Sequence, residues 1–423
     1  MTCFLLIFFS NHYFNLPRKS EIRFTLKTNS KRFWMRQLNE DWSLLLKKMQ
    51  LNLNLLEPFI AFRNILLGIL NCKECRSQHL LQSASVLRKG LRFSPAVAAL
   101  HEFKLLCNET DQQETSYLRS LGRIEEARVL WGQGQHELAI NLAKYMLTNC
   151  QLEGEASNVY RLVGKWFAET HSSNSRIILE QYLKRSVELS EQNKTLDKKS
   201  LSRQCQTYFN LAHYSDSLFK SYEERLSSSE WQAAMRLRRH KAKELDTLLK
   251  RLKSSTKGEK NEFSIKILEL QKQLSMDKDE DKKIQDDRDN FLCLALEGYQ
   301  RCLIIGSKYD VRVVFRLVSL WFSLSSRTSV IKSMLTTVEA VQSYKFIPLV
   351  YQIASRMGSC SKDVNESVSF QAVLVSLVKK MAIDHPYHTI YQVRMKFVTP
   401  VNEYISMQTC NFISTQFLMR ISH

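Results

Sequence analysis

Asp384, His385 and His388 stand together in the stretch "KKMAIDHPYHTIYQ", residues 379–392. Two imidazoles three apart on a helix share a face and could hold a metal or work as an acid–base pair. Pro386 argues against this, because proline disfavours helical geometry in the residue before it and ends the preceding helix. The stretch is therefore expected to be a helix terminus and the start of the next helix. Asp384 would cap that start and the imidazoles would meet free backbone groups. No third ligand or nucleophile is in view.

Three other patterns fall short of a site. Cys72, Cys75 and His79 read C-x2-C-x3-H, which is half of a zinc set. A structural zinc needs a fourth ligand and usually a second paired motif, and Cys107 or His101 would complete it only by accident of folding. "DKDED" (277–281) opens like a calcium loop. The sixth and twelfth positions, which calcium requires as Gly and Glu, are Lys282 and Arg288. "GQGQHE" (132–137) carries G-x-G, but Leu138 stands where a third glycine belongs and no strand precedes it. Walker, nucleophile-elbow and kinase magnesium motifs are absent from the 423 residues. No catalytic, cofactor-binding or metal residue is assigned.

What would hold such residues is helix. Glycine numbers 11 and proline 6 in 423 residues, too few for a chain rich in hairpins and tight turns. Leu, Lys, Glu, Gln, Arg and Ala, mostly strong helix formers, dominate. Ile124, Ala127 and Trp131 recur at helical steps. Gly132 and Gly134 break the pattern, and Leu138, Leu142 and Tyr145 resume it with Ala139 and Ala143 beside them. Such an αα-hairpin cannot bury its apolar face alone.

Similar stripes follow at Val159, Leu162 and Trp166; at Leu179, Leu183 and Val187; and at Tyr208, Leu211, Ser215, Leu218 and Tyr222. Further stripes are Leu292, Leu296, Tyr299 and Leu303; Val311, Val314, Val318 and Trp321; and Val373, Leu377 and Met381. Helix pairs every roughly 30 to 45 residues predict an all-α fold, an irregular helical-repeat solenoid of tetratricopeptide or HEAT type.

Residues 236–290 differ in being charge-rich. Phe263, Ile267, Leu270 and Leu274 form a coiled-coil seam, and Leu245, Leu248, Leu249 and Leu252 supply its match. A projecting antiparallel helical hairpin is expected there, turning at "SSTKGEK" (254–260), its charges a solvated face. The expected organisation is an unassigned segment 1–35, a first solenoid part 36–235, the charged hairpin 236–290, a second solenoid part 291–391, and a dissimilar tail 392–423.

The net charge of +19 suggests an acidic partner such as nucleic acid. The excess is spread out, without an aromatic-interleaved patch, so direct nucleic-acid binding is the weaker alternative. The ten cysteines are scattered, which reads as reduced, mostly buried thiols of an intracellular protein. "MTCFLLIFFSNHYF" lacks a basic n-region and a small-residue cleavage site. No run reaches the ~18–20 apolar residues of a membrane span.

The stretches "LRSLGRIEEARVLWGQGQHELAINLAKYML" (118–147), "YRLVGKWFAETHSSNSRIILEQYL" (160–183), "RLKSSTKGEKNEF" (251–263), "DDRDNFLCLALEGYQRCL" (286–303) and "KYDVRVVFRLVSLWF" (308–322) resemble the FAT domain of the ataxia-telangiectasia-mutated (ATM) kinases, especially plant versions. "FIPLVYQIASRMGS" and "DHPYHTIYQ" resemble its final helices, where D-H-P-x-H-T precedes the link to the kinase domain. The resemblance covers about residues 36–391 and implies an α-solenoid that wraps and restrains a kinase domain, with a long helical hairpin.

It also implies a large, nuclear, homodimeric serine/threonine kinase that answers DNA double-strand breaks and phosphorylates Ser or Thr before Gln. ATP and magnesium would bind in the kinase domain of that parent family. No residue here matches its catalytic positions, and no cofactor is expected in this chain. The likeness ends after Gln392, so the chain is expected to be an internal fragment. A free-standing helical-repeat adaptor remains an alternative on composition and periodicity.

Overall fold

The computed structural model describes residues 28–48, 53–108, 115–150, 152–192, 198–254, 259–357 and 369–397. Among these residues every regular element is helical and no strand occurs. The chain divides into two compact units, Met1–Gln151 and Leu152–His423. The expectations for the first 27 residues and for 398–423 lie outside the described residues.

The first unit runs through α1 (Thr28–Lys48), α2 (Leu53–Ile69), α3 (Lys73–Lys89), α4 (Phe93–Asn108), α5 (Thr115–Gly132) and α6 (His136–Asn149). Helix α3 lies against both α1 and α5, while α3–α4 and α5–α6 pack as hairpins. Side-chain ties recur at nearly one offset. Asn39 donates to Gln78 and Ser43 to Gln82 at 39 residues, Asn64 to Glu102 at 38, and Arg88 to Glu125 at 37. A constant offset between equivalent helices is the geometry of stacked helical repeats. Trp42, Leu46, Leu56, Phe59 and Leu67 fill one core cluster; Leu80, Leu87, Leu100 and Phe103 fill the next. Gly134 takes φ +83°, which the absence of a Cβ permits, and turns the chain from α5 into α6.

The structure corrects the sequence expectation for α6. Its buried face is Ala139, Ile140, Ala143 and Met146, whereas Leu138 and Tyr145 are 58% and 53% exposed. Small side chains let α6 approach α5 closely, so the alanine side packs inward and the bulkier stripe is left outside.

The second unit opens with α7 (Ala156–Thr170). A π-helical segment Ile178–Lys184 then runs into α8 (Arg185–Gln192). Ser157 donates to the Ser186 carbonyl at 2.8 Å and Ser186 donates to the Ser157 carbonyl at 3.0 Å, all buried. This reciprocal pair ties α7 to α8 and leaves neither hydroxyl unsatisfied.

Next come α9 (Lys198–Ser227), α10 (Ser229–Ser254) and the 47-residue α11 (Glu259–Ile305). Contacts run from Cys205 with Cys302, through Asp216 with Tyr299, Glu223 with Arg288 and Arg238 with Asp281, to Glu244 with Lys266. As one partner's number rises the other's falls, so a single antiparallel register runs from α9 through α10 against α11. The expected seam is present at Ile267, Leu274 and Leu248, all buried. Residues 255–258 and the Phe263 side chain lie outside the described residues.

At its inner end the pair is very close. A Cβ on Gly298 would stand 2.9 Å from the Ala212 Cβ and 3.3 Å from both the Ala212 Cα and the Tyr208 carbonyl oxygen. None of these atoms can swing aside.

The chain continues through α12 (Asp310–Ser323), α13 (Thr328–Ala340), a 3-10 segment Ser343–Leu349, α14 (Val350–Ser355), α15 (Phe370–Asp384) and α16 (Pro386–Phe397). On α12 the buried face is Val313, Val314, Leu317, Val318 and Trp321; Val311, expected inward, is 64% exposed. Helix α16 runs on past Gln392 to Phe397.

Two lysines repeat one device. Lys345 donates to the Leu303 carbonyl at 2.6 Å and the Gly306 carbonyl at 2.8 Å, closing the end of α11. Lys380 donates to Val338 at 2.6 Å and Val341 at 2.9 Å, closing the end of α13. The offsets, 42 and 39 residues, are the same in both. Carbonyls orphaned at helix ends are thus satisfied by a cation, which also suits the helix dipole.

Gly298→Val is expected to lower stability by about 3 kcal/mol, because overpacking a rigid contact outweighs the helix-propensity gain from removing glycine. Gly154→Ala, with nothing within 4 Å of its Cβ, should change stability by less than about 0.5 kcal/mol. Urea denaturation followed by circular dichroism compares the two.

Candidate functional site

The Asp384–His385–His388 stretch is a helix junction. His385 follows the last residue of α15, and Pro386 opens α16. Buried Thr389 seals the corner by donating to the Met381 and His385 carbonyls at 3.2 and 3.0 Å. Asp384 accepts from the Ser343 hydroxyl at 2.5 Å rather than capping α16. His388 is exposed and His385 half-buried, so the two do not frame a closed site.

Cys72 precedes α3, and Cys75 and His79 lie within it. His79 is fully buried, and its ring is already engaged. Nε2–H donates to the Ile60 carbonyl at 3.1 Å and Ser83 donates to Nδ1 at 3.3 Å. Burial, with Arg63 nearby, holds its pKa at about 3. A ring with both nitrogens committed is a packing histidine, not a free ligand. Arg63 is itself fully buried, sharing Nη2 among the Asn39 carbonyl, the Asn39 side chain and Ser43. Burial lowers its pKa to about 10.

Asp277 and Asp281 are not a loop. They lie in the middle of α11 and meet Arg238 and Lys241 across the helix pair. Gly132 and Gly134 form the α5–α6 turn, where a Cβ on Gly132 would meet the Phe93 ring at 2.6 Å. Among the described residues no three His, Cys, Asp or Glu side chains gather as a metal set.

Polar groups the sequence left unpaired are brought together in the second unit. Asp216 on α9 accepts Arg316 from α12 at 2.7 and 2.8 Å, and Tyr299 from α11 at 3.0 Å. This forked bond to a carboxylate is the strong kind. The Asp216 bond holds the Arg316 pKa above its usual value, and burial followed by Asp216 raises that of Tyr299. Cys205 and Cys302 also meet, although the sequence shows them only as scattered thiols. Residues a hundred apart give no local sign of such pairings.

Each unit leaves large apolar side chains exposed. In the first unit a cleft of about 390 Å³ is lined by Phe103, Cys107, Arg119, Arg123, Leu142 and Tyr145. Gly122 makes room for it: a Cβ there would lie 2.4 Å from the Phe103 ring. Lys104 and Glu126, which also line the cleft, pair at 2.7 Å. Leu55, Phe62, Ile65 and Ile69 are exposed along α2. In the second unit Leu237, Ile265, Leu268 and Met276 are exposed on α10 and α11. Exposed apolar rows of this kind can bind another surface. Among the described residues no helix is long and apolar enough to cross a membrane.

The buried groups make the fold sensitive to acid and to truncation. His79 stays neutral in the folded unit while an unfolded histidine takes a proton near pH 6.5, so acid favours unfolding. Its contribution is absent above about pH 6.5 and grows as pH falls toward 3, at up to about 1.4 kcal/mol per pH unit. His79→Gln should therefore show a shallower fall in urea midpoint between pH 6.5 and 4.5 than the parent. Asp216→Ala should cost roughly 1–3 kcal/mol, chiefly by leaving the buried Tyr299 hydroxyl without its acceptor. Adding Arg316→Met should recover part of that loss in a double-mutant cycle.

Comparison with known proteins agrees with this helical fold. The family model for the FAT domain matches residues 19–319. The serine/threonine-protein kinase ATM of Arabidopsis thaliana is 63% identical over 84% of this chain, and the serine-protein kinase ATM of Sus scrofa is 30% identical over 79%. The chain spans only about a tenth of their lengths, 9% and 11%. The solved structure of the "FAT and kinase domain of CtTel1" covers 79% of this chain and 22% of its own at a TM-score of 0.58 and 17% identity, which shows a shared fold. The chain belongs to the FAT-domain family, in the form carried by the ATM/Tel1 serine/threonine kinases.

Proposed function

We propose that this chain is the FAT scaffold of an ATM-like serine/threonine kinase, acting in the nucleus in the response to DNA double-strand breaks, and that it supports and restrains a kinase domain. The observation that carries the proposal is the 63% identity to the Arabidopsis kinase across 84% of the chain. The solved CtTel1 relative joins a FAT domain to a kinase domain, which supports the kinase domain as a partner. The exposed apolar faces on α2, α6 and the α10–α11 pair offer surfaces for that domain and for a second protomer. ATP and magnesium belong to the kinase domain of the parent family.

The link from sequence to this function is mechanical. Close helix packing and buried ion pairs make a stiff frame; the frame holds another domain in place.

The test is a graft. Replacing the matching segment of the Arabidopsis kinase by these residues should preserve phosphorylation of a Ser-Gln peptide, and the same graft with Gly298→Val should lose much of it. A folded graft without activity would overturn the proposal. Expressed alone, the chain should transfer no phosphate from ATP to that peptide; transfer by pure material would show a chemistry the scaffold reading does not contain.

A further inference from the structure

Cys205 on α9 and Cys302 on α11 lie 97 residues apart in sequence with their Sγ atoms 3.4 Å apart. Each is 1% exposed. Nothing stands between them, because the helices touch at Gly298 and Ala212, and Gly306 closes over the same spot: a Cβ on it would lie 2.9 Å from the Cys205 Sγ. A disulfide requires sulfurs about 2.05 Å apart, so closing the gap needs about 1.4 Å, within reach of side-chain rotation. Ser307 and Lys308, five and six residues beyond Cys302, are exposed.

The two thiols differ. The two sulfurs share a hydrogen bond, and this bond pulls the Cys205 pKa below its usual value while raising that of Cys302. Burial and Asp310 oppose a Cys205 thiolate, while the Lys345 ammonium, fixed on the Leu303 and Gly306 carbonyls, and Lys308 favour it. The cations favour Cys205 as the nucleophile and leave Cys302 as the resolving thiol; exchanging the roles gives the same disulfide.

We propose that Cys205 and Cys302 form a reversible dithiol–disulfide site, oxidised by hydrogen peroxide, that staples α9 to α11. The Cys205 thiolate attacks one peroxide oxygen and the O–O bond breaks. The departing hydroxide takes a proton and becomes water, and Cys205 becomes a sulfenic acid. The Cys302 sulfur then attacks the Cys205 sulfur as its proton leaves. The S–O bond breaks and the hydroxyl departs with that proton as a second water. Two thiols and one peroxide become one disulfide and two waters. A small dithiol reductant returns the pair to thiols by exchange. The staple closes a ring that contains all of α10 and most of α11, and so restricts the unfolded chain.

The experiment uses the full chain, reduced, freed of reductant and treated with hydrogen peroxide under native conditions. Peptide mapping without reductant should yield one cross-linked peptide pair containing Cys205 and Cys302, which dithiothreitol separates. The exposed thiol Cys293 should remain open to alkylation while those two are protected. The oxidised chain should melt several degrees higher than the reduced chain, and that shift should vanish in Cys205→Ala and in Cys302→Ala. Equal alkylation of all three cysteines after oxidation, or a cross-link that forms only in denaturant or only between chains, would overturn the proposal. The mapping uses the parent chain, so it decides the matter even where a variant folds poorly.

Discussion

One antiparallel register organises the second unit. Helices α9 and α10 descend antiparallel along α11, from Cys205 against Cys302 to Glu244 against Lys266. At the inner end the helices touch through Gly298 and Ala212. At the outer end they are held by Arg238, which reaches Asp277, Glu280 and Asp281 together. The two ends use different physics. Backbone proximity gives dispersion and excludes water; the charged end trades packing for ion pairs that salt can screen. Stiffness is thus greatest where the pair meets the rest of its unit, because Asp216, Tyr299 and Arg316 there join three helices.

The same logic closes the helix ends. Lys345 and Lys380 each commit their donors to carbonyls that a terminating helix leaves bare. Each lysine lies in a later element and reaches back to an earlier one, so a cap is also a tie between neighbouring repeats. The repeat is visible in these bonds although the residues around them differ. A solenoid needs only equivalent contacts, not equivalent side chains, and that explains a period that sequence shows as irregular.

The helical class and most buried stripes were legible, because burial at steps of three and four is a local pattern. Leu292, Leu296, Tyr299 and Leu303 are all buried as their spacing implies. The α6 face was misjudged because size was weighed above shape: Leu138 and Tyr145 are larger, but Ala139 and Ala143 permit the closer approach. The candidate metal and catalytic patterns fell short already on the sequence. His79 looked like a ligand by type, yet the Ile60 carbonyl and Ser83 occupy its ring. The Asp216–Arg316 bond and the Cys205–Cys302 pair could not be read at all, since contacts across about a hundred residues depend on the packing register.

The positive charge also takes a different meaning in the fold. A net +19 read from composition suggests an outward basic surface, but several of its carriers face inward. Arg63 and Lys345 are buried, and Arg238, Arg316 and Lys380 are committed to carboxylates or carbonyls. Each neutralises a helix end or a carboxylate that would otherwise weaken the packing, so cations here are partly structural cement. What such a frame leaves outward is the bulkier apolar stripe of α6 and the row Leu55, Phe62, Ile65 and Ile69 on α2. Faces of that kind recognise another folded surface by excluded water rather than by charge.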